Sequence, residues 1–175
     1  MPDKSEKILN WCQPETKKRY YELKSEEKKY AQIVFDKKFF GFKAVASFNE
    51  KNLEIEIQKS LSPKIFAKSA ESSMLISKSW FSKKWIIEID SDKKYFFYFK
   101  NYFSGIFFLE DSKNKIIATT AYKKQKLSGL FKTEATITTN VELSDTMLSL
   151  LSVAWFIVLF IRRPVGSDVA ACAIT

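Results

Sequence analysis

A chain of 175 residues, 46% hydrophobic and 15% aromatic, with sixteen Phe against four Gly and four Pro, carries the apolar surface of one packed domain and is not disordered except at its ends. It contains no His, which removes Ser-His-Asp and Cys-His triads, most zinc sites and the usual general base near neutral pH. Its glycines at 41, 105, 129 and 166 spell neither GxGxxG nor a Walker A loop, so nucleotide chemistry by those folds is excluded.

The net charge of +9 suggests attraction to phosphate, on nucleic acid or on anionic lipid. Only Arg19, Arg162 and Arg163 are arginine, and without that bidentate fork a sequence-reading nucleic-acid function is disfavoured. Cys12 and Cys172 stand near opposite ends outside any metal spacing, which fits a reducing compartment and implies no metal or cofactor. The first twenty residues are too polar for a secretory signal, so a cytoplasmic location is expected.

In chain order, SEKILNWC places Ile8, Leu9 and Cys12 on one helical face behind a Ser5 cap, and Pro14 ends it, so residues 1–18 read as an arm or short helix. From residue 20 the period changes to that of strands, expected at 20–24, 30–35, 40–48, 53–57, 65–67, 74–77, 85–89, 95–99, 105–109, 115–122 and 131–139. Leu53, Ile55 and Ile57 alternate with Glu54, Glu56 and Gln58, and Trp85, Ile87 and Ile89 alternate with polar neighbours. Segments 95–99 and 105–109 are apolar on both faces, the pattern of a strand covered on both sides. FNEKN, DSDKK and EDSKNK supply the Asn, Asp and Ser of tight turns, so consecutive strands pair antiparallel and a parallel α/β sheet is disfavoured.

Two carboxylate pairs, Glu54 with Glu56 and Glu88 with Asp90, share a strand face and so could split their pKa values as acid and base. Their alternation with Ile and Trp is also that of a solvated face, and this second reading is preferred; no catalytic residue is assigned.

The segment 144–163 begins with Ser144 or Asp145 as a cap and closes on Arg162, Arg163 and Pro164, the punctuation of a helix. It is apolar all round over 147–161, with Met147, Leu150, Leu151, Ala154, Trp155, Val158 and Ile161 as its expected structural residues, so protein or lipid must enclose it. Fifteen residues span roughly 22 Å against a bilayer core of roughly 30 Å. Burial inside the strands is therefore preferred, and a tail anchor at 147–161 stays open. Residues 164–175, small and interrupted by Pro164 and Gly166, read as a loosely attached tail.

The order of elements, the strands WIIEID and KIIATTAY, and the junction TEATITTNVELSDTMLSLLSVAWFIVLF resemble the tubby-like superfamily of tubby C-terminal domains, phospholipid scramblases and LURP-one-related proteins. The resemblance covers roughly residues 20–163. It implies a closed antiparallel β-barrel of about 12 strands wrapped around the hydrophobic helix, over a domain at 19–163, and a binding role rather than an enzymatic one. No basic cluster matches a tubby phosphoinositide site, and no cysteine-rich or calcium-ligand run matches a scramblase.

The expected function is thus a non-catalytic module at an anionic lipid surface, with Lys83, Lys84, Lys93, Lys94, Lys123, Lys124 and Lys126 as head-group candidates beside turns. Trp80, Phe81 and Phe103 are candidates for insertion. Lysines also guard sheet edges and solvate turns, a reading the same residues admit. A tail-anchored protein, or a barrel carrying a small apolar ligand, are the alternatives; a protein partner is not specified by the sequence.

Overall fold

The computed structural model describes residues 6–15, 19–36, 43–58, 64–78, 82–100, 104–127 and 130–162, the side chains of 125–127 and 130–131 excepted. Twelve strands form one closed antiparallel barrel: β1 (Lys7–Cys12), β2 (Tyr20–Lys24), β3 (Lys29–Phe35), β4 (Lys43–Phe48), β5 (Lys51–Gln58), β6 (Lys64–Lys68), β7 (Ser73–Lys78), β8 (Trp85–Ile89), β9 (Lys93–Phe99), β10 (Ile106–Glu110), β11 (Ile116–Leu127) and β12 (Leu130–Thr139). Each strand pairs with its chain neighbour, and β1 closes the ring on β12 with Lys7 opposite Thr139 and Trp11 opposite Ala135. One helix follows, α1 (Asp145–Ile161). The expected strands at 40–42 and the tail at 164–175 lie outside the described residues, as do Trp80, Phe81 and Phe103.

Within the segment 1–18, read as an arm or short helix, Lys7–Cys12 is instead strand β1. Six residues fit either period, and the alternation that matters is Leu9 and Trp11, both fully buried, against Ile8, which is 60% exposed. Without β1 the barrel would leave β2 and β12 with unpaired edges, so closure decides the conformation.

Eight strands make a barrel whose interior side chains alone can fill; twelve enclose a wider lumen, and a helix about 10–12 Å across fits it. Ser144 caps α1, its hydroxyl accepting from Met147 N at 3.3 Å, and Arg162 N donates to Val158 O at 3.0 Å at the other end. Met147, Leu150, Leu151, Ala154, Trp155 and Val158 are all buried, and Ile161 is half-buried at the helix end. Ser152 is accommodated by donating to Leu148 O at 2.8 Å. The barrel wall grips the helix through aromatic pairs: Trp155 stacks on Trp11 at 5.8 Å and meets the edge of Tyr21, and Phe156 stacks on Phe35 at 5.6 Å.

The helix is therefore enclosed by protein, which answers the tail-anchor reading of 147–161: the apolar surface that would face lipid already faces β-strands. No helix among the described residues is long and apolar enough to cross a membrane. The helix and the inward side chains of the strands form one continuous apolar cluster.

Every connection reverses the chain, so alternate connections lie at opposite ends of the barrel. The turns β2–β3, β4–β5, β6–β7, β8–β9 and β10–β11 share one end with the start of α1, here the entry mouth. The links β1–β2, β3–β4, β5–β6, β7–β8, β9–β10 and β11–β12 share the other with Arg162, the exit mouth. The β4–β5 turn is a two-residue hairpin with positive φ at both Asn49 and Glu50, and the three-residue β8–β9 turn has positive φ at Asp90 and Ser91.

Candidate functional site

The parity of the connections sorts the charges. At the exit mouth the described basic residues are Arg19, Lys43, Lys64, Lys78, Lys83, Lys84, Lys100, Lys123, Lys124, Lys132 and Arg162, against Glu15, Asp36, Glu56 and Glu134. At the entry mouth Lys7, Lys24, Lys28, Lys29, Lys51, Lys68, Lys93, Lys94, Lys113 and Lys115 are matched by Glu6, Glu26, Glu27, Glu50, Glu71, Asp90, Asp92, Asp111, Glu142 and Asp145. With Glu22, Glu54, Glu88 and Glu110 lying along the strands between, the local excess of positive charge is at the exit mouth.

The candidate lysines divide accordingly. Lys83, Lys84, Lys123 and Lys124 belong to the exit mouth, while Lys93 and Lys94 begin β9 at the entry mouth. Along β8 the register sets Lys94 beside Glu88, four residues or about 13 Å from Lys84, more than a Debye length of about 8 Å, so the two groups couple only weakly. Lys94 is bound to Glu88 at 2.9 Å. The side chain of Lys126 lies outside the described residues.

Lys84 is also committed elsewhere. It reaches along the outer wall to Glu110, at 2.7 Å, and its ammonium lies 4.6 Å from the Tyr98 ring centroid. Tyr98 donates its hydroxyl to the same carboxylate. Burial pushes the Glu110 carboxyl up, but the bonds from Lys84 and Tyr98 outweigh it and hold the group below its ordinary value. Burial, then the bond to Glu110, push the Tyr98 phenol up to about 12. This trio, two half-buried side chains on one buried carboxylate, pins β8, β9 and β10 together. It also explains the doubly apolar pattern of β9 and β10: outward Phe96, Tyr98 and Phe108 are half-buried around it, with no second layer of described chain above them.

Lys64, Lys83, Lys100 and Lys123, by contrast, are exposed and make no ion pair among the described residues. At the centre of this mouth the Arg162 guanidinium lies 5.6 Å from the Phe107 ring and 5.5 Å from the Tyr122 ring. The carboxylate pairs form no acid and base couple: Glu56 is bound to Lys43 at 3.0 Å, Glu88 to Lys94, and Asp90 accepts Ser73 N at 2.8 Å within its turn. Cys12 donates its thiol to Glu22 O at 3.6 Å, and no group of three metal-ligating side chains occurs among the described residues. Sequence reasoning missed Glu110, Arg162 and the separation of the two mouths; counting connections alternately along the chain would have found the last.

No family model, curated protein or solved structure matches this chain.

Proposed function

We propose that this chain is a non-catalytic binding module that attaches through its exit mouth to anionic phospholipid head groups at a cytoplasmic membrane surface. The observation that carries it is the set of exposed lysines, Lys64, Lys83, Lys100 and Lys123, at one end of the barrel and without ion-pair partners among the described residues. Lysine ammoniums are compact point charges suited to a diffuse anionic surface, each adding about 1 kcal/mol of attraction near such a membrane. The resemblance of the element order to the tubby-like superfamily favours binding over catalysis as a fold analogy.

Sedimentation with vesicles of phosphatidylcholine containing phosphatidylserine tests the reading. Binding should fall steeply with salt and be absent with phosphatidylcholine alone. Lys83→Glu with Lys123→Glu should weaken it about thirtyfold or more, at about 1 kcal/mol per lysine. Lys28→Glu with Lys113→Glu, the same charge change at the entry mouth, should have far less effect. Equal losses from the two pairs, or binding indifferent to salt, would defeat the proposal.

A further inference from the structure

The entry mouth contains a cavity of about 330 Å³ between the first turn of α1 and the turns β6–β7 and β8–β9. Its floor is Phe48, Met74 and Ile89, all nearly buried. Around the rim stand four carboxylates, Glu71, Asp90, Asp92 and Asp145, and two ammoniums, Lys51 and Lys93. Lys51 is held by both Glu71, at 2.5 Å, and Asp145, at 2.9 Å, and Asp145 also accepts from Asn49 at 2.8 Å. Asp92 makes no side-chain hydrogen bond or ion pair among the described residues. The rim therefore keeps a negative surplus beside an apolar floor.

A second, independent feature is Ser149. It lines the cavity, is only 5% exposed, and its hydroxyl has no hydrogen-bond partner among the described residues. Ser152, less than one turn further, donates to a backbone carbonyl, so the helix itself could satisfy such a group.

From this cavity, its anionic rim and the unpartnered Ser149 hydroxyl, we infer that the entry mouth binds a short linear diamine or polyamine. The methylene stem covers Phe48, Met74 and Ile89. One ammonium pairs with Asp92 and the other donates to Ser149 Oγ. The positive end of the helix dipole, which opposes a cation here, is countered by Asp145 and Glu71.

Isothermal titration of the full chain with 1,4-diaminobutane at low salt tests the site, with 1,4-butanediol as its uncharged counterpart. The diamine should bind saturably at one site and the diol should not. Asp92→Asn, in an exposed turn, should weaken binding up to about fivefold, as one exposed charge pair allows. Ser149→Ala should weaken it about threefold to tenfold, as the loss of one hydrogen bond allows. A diol that binds as well as the diamine, an unchanged affinity in both variants, or no saturable binding would each overturn the assignment.

Discussion

Replacing Trp155 with Ala asks whether the helix is the core of this barrel or merely lodged in it. Trp155 is 1% exposed, stacked on Trp11 of β1 at 5.8 Å and set edge-on to Tyr21 of β2 at 5.6 Å, with Tyr122 of β11 at 6.3 Å. Truncating a buried Trp to Ala costs about 3–5 kcal/mol through lost transfer energy and the cavity left behind. One term runs the other way: the indole Nε1 of Trp155 is buried without an acceptor, and removing it relieves part of that penalty. The net effect should therefore lie at the low end, about 3 kcal/mol, and at about 2–4 °C per kcal/mol the melting temperature should drop by about 6–12 °C. Trp155→Phe keeps a ring against Trp11 without the orphan N–H, and should lose about 1.5 kcal/mol or less. Urea titration followed by far-ultraviolet circular dichroism measures both, and the midpoint should move at constant slope. A Trp155→Ala melt within 2 °C of the native chain would refute the argument, because no residue at the junction of three strands and the helix could then be bearing weight.

Two further outcomes follow from the same geometry. Glu110 has a depressed native pKa, so its contribution is present above the ordinary carboxyl value of 4.5 and lost as pH falls below it, whereas Tyr98, raised from 10.0 to about 12, contributes fully below pH 10 and loses that contribution between 10 and about 12. Urea midpoints against pH should show Glu110→Gln flattening the acid limb and Tyr98→Phe the alkaline one; limbs identical to the native chain's would disprove the trio's role. Gly105 has φ +65° and a Cβ there would stand 2.9 Å from Tyr122 O, an oxygen in the backbone of β11, so Gly105→Ala should cost more than the 1–2 kcal/mol of the left-handed backbone alone, read as a shift in the urea midpoint.

The strands that the sequence made legible are those whose alternation is amphipathic, such as β5 and β8, and the helix was legible from its all-round apolar surface between Ser144 and Arg162. Strand β1 was not, because Ile8, Leu9 and Cys12 suit a helix as well as Leu9 and Trp11 suit a strand, and what selects the strand is the distant edge of β12. The doubly apolar β9 and β10 suggested a covering layer. The outer face is instead closed by a local device, a carboxylate, an ammonium and a phenol, whose members are 12 to 26 residues apart in the chain and show no periodicity. The lysine candidates are divided for a related reason: Lys83–Lys84 and Lys93–Lys94 are close in sequence, but strand β8 runs between them and carries them toward opposite mouths.

The seam between β1 and β12 joins residues about 126 apart, as in the Thr136 to Asn10 side-chain bond, and the element that fills the lumen is encoded after the last strand. During synthesis, then, the inner faces of β1 to β11 emerge with neither their seam nor their filling, so local hairpins can form early but the enclosed state cannot. Such long-range closure is slow, and it leaves apolar inner surface uncovered while the chain waits. For this architecture the closed barrel is expected to form only once α1 is available, and any delay in delivering that helix lengthens the interval in which the unfinished sheet can pair with another copy of itself.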